Sequence, residues 1–234
     1  MSAEAHSEGR RRVAIVAARD EADRIGATVG ALREALPGIE VWVADDASAD
    51  GTRDAALAAG ATVVGRNRPH GKGGNMTAAA TAALDDLPGA ATVLLCDGDL
   101  GASAAHLTTL VEAVEVGMCD LAIAGFERKV GGGLGLAKGY ARWAIERLCG
   151  YEADAPISGQ RAMSAAVLRD VLPFAPRYGM EIGMTVDAVR AGHRVAEIEL
   201  PLEHRATGKT LAGFIHRGRQ LRDFLAVTWA RRRG

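Results

Sequence analysis

The stretch Val93-Leu94-Leu95-Cys96-Asp97-Gly98-Asp99-Leu100 is an apolar run that stops on two carboxylates one residue apart. In an extended chain, residues i and i+2 point to the same side. Asp97 and Asp99 are therefore expected to face one site from the end of a strand. Paired hard oxygen ligands suit Mg²⁺ or Mn²⁺, whose coordination substrate phosphates commonly complete. A carboxylate here also has a plainer use: Asp99, followed by Ser103, could simply start the next helix as its N-cap. Two other apolar runs end in acids. Val13–Ala18 is followed by Arg19-Asp20-Glu21, and Val41–Ala44 by Asp45-Asp46. Like charges at one edge repel unless something cationic compensates. A metal ion, with donors from a nucleotide base and ribose, would use them.

Cationic segments interleave with these acids. Gly71-Lys72-Gly73-Gly74-Asn75 reads as a loop just before a helix, with Arg66, Arg68 and His70 ahead of it. Glycines let a backbone approach a phosphate and Lys72 adds a point charge, although the spacing is not that of a Walker A loop. An ordinary solvated loop is the alternative. His204-Arg205-Ala206-Thr207-Gly208-Lys209 follows a strand. His204 is a candidate metal ligand and Arg205 and Lys209 candidate phosphate contacts, against the plain reading of three surface residues. Glu181 opens a helix, which dipole electrostatics alone favours. It is also the best general-base candidate if the acceptor is a hydroxyl.

The elements that must position these residues alternate. Strands are expected at Val13–Ala18, Val41–Ala44, Ala61–Val64, Val93–Cys96, Leu121–Ala124 and Val195–Leu200, with a short, polar-interrupted one at Ile157–Met163. A helix is expected from Glu21 to Leu36, with Ile25, Val29, Leu32 and Leu36 on one face. Further helices are expected to about Leu87, near Ala104–Val116, Leu136–Leu148 and Glu181–Ala191. This alternation is the signature of an α/β fold, a doubly wound, mostly parallel sheet with helices on both faces. Such sheets bind ligands at the carboxyl ends of their strands. Gly131–Gly135 reads as a flexible loop. From Leu211 onward Leu221, Phe224, Leu225 and Trp229 recur at helical spacing, before Arg231-Arg232-Arg233. The expected division is a polar tail over residues 1–12, one catalytic domain over 13–210, and an amphipathic helix docked on it over 211–234. A membrane-surface role for that helix is the sharper, less favoured reading.

With 28 Lys and Arg against 29 Asp and Glu, the charge balance gives no reason to invoke nucleic acid. Cys96, Cys119 and Cys149 are odd in number and fit no zinc spacing, which suits reduced thiols in a cytoplasmic protein. No apolar run approaches the ~20 residues of a membrane span, and Met1–Arg12 shows no signal-peptide pattern.

Taken in order, VAIVAARDEADRI, VADDASADGT, GKGGNM, DGDL, DAPISGQRAM and RATGKT resemble the family 2 glycosyltransferases of GT-A fold. The likeness is to the polyprenyl-phosphate sugar synthases, such as dolichyl-phosphate mannose synthase. The resemblance implies that Glu21, Asp45 and Asp46 hold ribose and base, and that Lys72 and Asp97 lie at the diphosphate. It implies Asp97 and Asp99 as metal ligands, Ser158, Gly159 and Arg161 on the acceptor side, and Arg205 and Lys209 on phosphates. A nucleoside-diphosphate sugar, Mg²⁺ or Mn²⁺, and a phosphorylated or lipid-phosphate acceptor are then expected; a homo-oligomer and peripheral contact with the inner membrane face stay open. His204 is similar to a metal-site histidine of glucosyl-3-phosphoglycerate synthases, which keeps a small phosphorylated acceptor in view. Where the family carries Pro-x-Tyr and Asn, this chain has Ala17-Ala18-Arg19 and Asp20. A sugar-phosphate nucleotidyltransferase would share the fold, but places a Gly-rich basic loop where Arg19-Asp20-Glu21 stands. A non-catalytic nucleotide-binding protein would have no evident use for Asp97, Asp99 and Lys72 together.

Overall fold

The computed structural model describes residues 10–65, 68–85, 87–89, 91–126, 135–202 and 222–232. Strands β1 (Arg12–Ala18), β2 (Glu40–Asp45), β3 (Thr62–Gly65) and β4 (Thr92–Asp97) are parallel neighbours. Each crossover between them carries a helix: α1 (Ile25–Ala35), α2 (Thr52–Ala58) and α3 (Gly71–Leu84). A 3₁₀ stretch at Gly101–Leu107 and α4 (Thr108–Glu115) lead to β5 (Leu121–Phe126). Then come α5 (Gly135–Cys149), β6 (Arg161–Ser164), α6 (Ala165–Val171), α7 (Met180–Arg190) and β7 (Val195–Leu200). Residues 222–231 form a further helix, α8.

The seven strands make one sheet in the order β3-β2-β1-β4-β6-β5-β7. Its mostly parallel, doubly wound character is as expected. The exception is β6, which lies antiparallel between β4 and β5, with Arg161 opposite both Leu95 and Ile123. The strand expected at Ile157–Met163 thus narrows to Arg161–Ser164, and residues 157–160 form a turn and loop at its start.

Strand residues alternate between two buried layers, as a sheet covered on both faces requires. Ala14, Val16, Leu94 and Cys96 pack on one side with Ile25, Val29, Leu32 and Leu36 of the first helix region. Val13, Ile15, Val93 and Leu95 pack on the other with Met76, Ala79, Leu168 and Met184. α1 begins at Ile25, later than expected, because residues 21–24 form a turn whose Glu21 carbonyl accepts from the N–H groups of Arg24 and Ile25.

Two expectations about the chain ends change. Arg10, Arg11 and Arg12 are tied down: Arg12 grips Glu115 through two bonds of 2.8 and 2.7 Å, Arg11 bonds Glu40, and Arg10 bonds the Glu115 carbonyl. In α8, Phe224 and Val227 are buried against Ala141, Ile145, Ile182 and Val186, and Phe224 stacks on Tyr140 at 6.4 Å. Leu225 and Trp229, expected in the same stripe, are 51% and 61% exposed. Arg231, expected to be solvated, donates to Asp187 on α7. Among the described residues, no helix is long and apolar enough to cross a membrane.

Candidate active site

The carboxyl ends of β1, β2 and β4 lie side by side, and the first two are joined by their loops. Asp46 N–H bonds the Ala18 carbonyl, and Asp20 N–H bonds Ser48 Oγ. Asp20 Oδ1 accepts from Ala49 N–H at 2.8 Å, and Asp50 Oδ2 accepts from Ala22 N–H at 3.1 Å. Thr52 Oγ1 accepts from Glu21 N–H at 2.8 Å, while Asp50 Oδ1 accepts from Thr52 N–H. Asp45 Oδ1 accepts from the N–H and hydroxyl of Ser48. Asp20 and Ala47 take left-handed backbone, φ 56° and 58°, which turns the loops toward each other.

Asp46 is buried, and its two oxygens accept from the N–H groups of His70 (2.8 Å) and Gly71 (3.2 Å) at the start of α3. This satisfies donors that a helix N-terminus leaves open and complements its dipole. Resemblance implies a ribose-and-base role for Asp46, and here the same carboxylate holds the start of α3. Asp45 is buried beside it and Glu21 is half-buried at the turn.

At the end of β4 the arrangement differs. Lys72 Nζ lies 2.7 Å from Asp97 Oδ1 and 3.0 Å from Glu181 Oε1. Gln160, fully buried, donates from Nε2 to Asp97 Oδ2 at 2.8 Å, and its own Oε1 accepts from Ser158 Oγ. α3, β4, the turn before β6 and α7 thus meet at one charged centre. Burial lowers the proton affinity of Lys72, but Asp97 and then Glu181 outweigh it and hold the ammonium above the ordinary lysine range. Gly159 lies directly over this centre. A Cβ there would stand 2.4 Å from Lys72 Nζ and 2.9 Å from Asp97 Oδ2.

Arg161, which resemblance sets on the acceptor side, lies beneath the turn that precedes β6. It is fully buried, donating from Nε to the Ser158 carbonyl at 2.9 Å and from Nη1 to Thr185 Oγ1 at 3.0 Å. Burial brings its pKa down to about 10. It fastens the Ser158–Gln160 turn to α7.

Asp99 stands past the strand end, in a turn, so the side-by-side projection expected for Asp97 and Asp99 does not apply. The turn is pinned: Gly98 N–H bonds the Ala17 carbonyl, Thr28 Oγ1 bonds the Gly98 carbonyl, and Arg24 Nη1 bonds the Asp99 carbonyl. Asp99 Oδ1 is buried with no hydrogen-bond partner among the described residues. A buried, unpartnered carboxylate oxygen is costly, and a hard divalent cation is the partner its chemistry fits. Asp97, bonded to Lys72 and Gln160, meets that need less well. Among the described residues, no cluster of three His, Cys, Asp or Glu side chains is set to hold a metal. His204, Arg205, Lys209 and residues 131–134 of the glycine-rich loop lie outside the described residues.

The Gly71–Asn75 segment is not a loop: it is the first turn of α3. A Cβ on Gly73 would stand 1.9 Å from the Ala175 carbonyl oxygen, and one on Gly71 would stand 2.7 Å from Arg177 Cγ. These glycines let the helix lie against residues 175–177, which carries Lys72 to Asp97. Gln160 is the site residue to which sequence reasoning gave no role. Its place between Gly159 and Arg161 was the available signal.

The geometry has counterparts. Residues 13–171 match the family described as Glycosyl transferase family 2. The chain is 31% identical over 233 positions to a glucosyl-3-phosphoglycerate synthase of Mycolicibacterium paratuberculosis, covering 86% of this chain and 68% of that one. It is 29% identical over 216 positions to an undecaprenyl-phosphate mannosyltransferase of Micrococcus luteus, covering 86% of each. The crystal structure of M. tuberculosis glucosyl-3-phosphoglycerate synthase superposes with a TM-score of 0.75 at 27% identity, covering 97% of this chain and 82% of that one. The same enzyme with Mn²⁺, UDP and glucosyl-3-phosphoglycerate gives a TM-score of 0.76 at 26% identity, covering 97% and 82%. Its complex with Mg²⁺ and UDP gives 0.77 at 27%, covering 97% and 81%. These neighbours bear out the expected fold class.

Proposed function

This chain belongs to glycosyl transferase family 2, and from that premise we propose that it moves a sugar from a nucleoside-diphosphate sugar to a phosphorylated acceptor, with Mg²⁺ or Mn²⁺ at Asp99. The buried, unpartnered Asp99 oxygen beside the Lys72–Asp97–Glu181 centre carries this reading. The complexes of the tuberculosis relative with Mn²⁺, Mg²⁺ and UDP support it. Asp99 would hold the ion, with His204 as a further ligand. Bound there, the ion would neutralise charge on the leaving diphosphate.

The chain's own residues do the rest. Asp97 and Glu181 keep Lys72 protonated and in place, so a fixed positive charge faces the diphosphate without reorganising. Gln160 holds Asp97 in its orientation. Gly159 keeps the space above the centre clear, and with Ser158 it borders the acceptor side. Glu21 and Asp45 border the donor side, and Arg205 and Lys209 contribute positive charge to phosphates. A phosphate acceptor is already anionic at neutral pH and needs no base, which frees Glu181 for Lys72. The division into a catalytic domain, which takes in Arg10–Arg12 from the expected tail and runs to 210, and a C-terminal helix (211–234) is part of the reading. A cytoplasmic site, with peripheral contact at the inner membrane face, is part of it too, and three free thiols support the reducing compartment.

Product analysis tests this. UDP- and GDP-sugars are each offered with 3-phosphoglycerate and with a polyprenyl phosphate, in Mn²⁺ and in EDTA. Metal-dependent release of nucleoside diphosphate with a glycosylated phosphate product is expected. Turnover unaffected by EDTA would remove the metal. Pyrophosphate release from a nucleoside triphosphate and a sugar phosphate would replace the reaction with nucleotidyl transfer.

A further inference from the structure

We propose that the outer faces of α5 and α8 form a docking surface for an anionic lipid bilayer. Both helices are apolar on two sides. Their inner sides, with Ala137, Ala141 and Ile145 on α5 and Phe224 and Val227 on α8, are buried in a common cluster. The outer sides carry Leu136, Trp143, Leu225 and Trp229, which are 92%, 45%, 51% and 61% exposed. A groove of about 480 Å³ runs between the helices, lined by Tyr140, Trp143, Leu225 and Trp229 and ending at Arg232. The fold does not need these four side chains in its core. Large apolar groups gathered on one face mark an interaction surface.

The chemistry of the face selects its occupant. Two of the chain's three tryptophans stand here, and tryptophan concentrates at the membrane–water boundary. Helical spacing puts exposed Arg147 in line with Trp143 on α5, and exposed Arg222 and Arg232 in line with Leu225 and Trp229 on α8. Glu146 is the acid on the same outer side. Arg222 is near Asp223, at 3.6 Å, but is itself 65% exposed. Arg231 points inward to Asp187 and is not counted. Arginines beside an apolar strip reach anionic headgroups while the strip enters the interface. A second copy related by a twofold axis would set three arginines and one glutamate against the same set, a poor charge match.

The surface adjoins the proposed site. Buried Asp223 on α8 lies 3.7 Å from Arg177, whose side chain covers Gly71, the residue before Lys72. The docking surface itself stands without the reaction. Its meaning for the acceptor rests on the function proposed above: an enzyme held this way meets phosphates in the headgroup plane, which favours a lipid-borne acceptor.

Co-sedimentation of the full chain with phosphatidylcholine vesicles, with and without phosphatidylglycerol, tests the surface at low and high salt. Binding is expected only with the anionic lipid, weakened by salt, with a blue shift in tryptophan emission. Arg222→Gln with Arg232→Gln should weaken it by about tenfold or more. Trp143→Ser with Trp229→Ser should abolish the emission shift while turnover of a water-soluble phosphorylated acceptor persists. No binding to anionic vesicles would overturn the proposal. So would a dimer in sedimentation velocity that Trp229→Ser dissociates, which would assign the face to a second copy. Vesicle binding by a protein inactive on every acceptor would keep the surface and overturn only the proposed reaction.

Discussion

At the ends of β1 and β2, Asp20, Asp46 and Asp50 accept hydrogen bonds from backbone N–H groups, and Asp45 accepts from Ser48. At the end of β4, Asp97 meets a lysine and a glutamine, and Asp99 keeps a buried oxygen without a partner among the described residues. The two regions share a sheet edge and a composition, but differ in what their carboxylates do. The first shapes two loops and caps α3. The second gathers Lys72, Gln160 and Glu181 at Asp97 and leaves Asp99 Oδ1 buried beside them. Acidity at a strand end therefore does not by itself identify a reactive group; what surrounds each carboxylate separates these two sets.

The sharpest break in this contrast is Asp99→Ala. Metal-supported transfer should fall by about 100-fold, with metal-free thermal stability unchanged or raised, since a buried unpartnered oxygen is removed. Calorimetry of UDP with and without Mn²⁺ should show that the metal-dependent part of the affinity is gone. Equal loss from Asp46→Ala without a change in stability would erase the distinction.

Lys72→Met comes next. It leaves Asp97 and Glu181 facing each other, and removing one partner of a buried pair costs about 3–5 kcal/mol. With the Lys72 side chain still 21% exposed, the expected loss is about 2 kcal/mol. Denaturant unfolding measures it. Adding Glu181→Gln should restore part of the stability by removing the unpaired carboxylate, and none of the activity.

Asp46→Ala should cost about 1 kcal/mol, the usual effect of losing a helix N-terminal acceptor, and lower activity only through α3. The smallest effect is expected at Asp20. Asparagine tolerates left-handed backbone and can still accept from Ala49. Asp20→Asn should therefore lie within about 0.5 kcal/mol of the parent by thermal unfolding.

Much of this was legible in the sequence where local pattern carries the information. β1, β2 and β4 announce themselves as apolar runs stopped by polar residues, β5 as an apolar run, and β7 as a strand closed by Pro201, and the buried face of the first helix region is set by Ile25, Val29, Leu32 and Leu36. What escaped is non-local. Glycine is a poor helix former, so Gly71–Asn75 reads as a loop until the Ala175 carbonyl is seen to leave Gly73 no room for a side chain. β6 is short, and no local pattern places it antiparallel beside β4. Arg161 looks like an exposed cation for an acceptor because its burial depends on α7. Phe224, Leu225 and Trp229 read as one stripe because spacing alone does not say which apolar side of α8 packs inward.

The antiparallel β6 has a consequence for how the protein is made. Its first residue, Arg161, pairs with Leu95 near the carboxyl end of β4, so the preceding turn arrives at the sheet edge only after β5 and α5 have been synthesised. The strands from β1 to β4 can pair in the order in which they leave the ribosome. Asp97 then waits for Gln160, 63 residues further on, and Lys72 waits longer for Glu181. Contacts so distant along the chain form slowly. The charged centre is thus completed late, and a chain interrupted before α7 would have most of the sheet but Lys72 without its contact to Glu181.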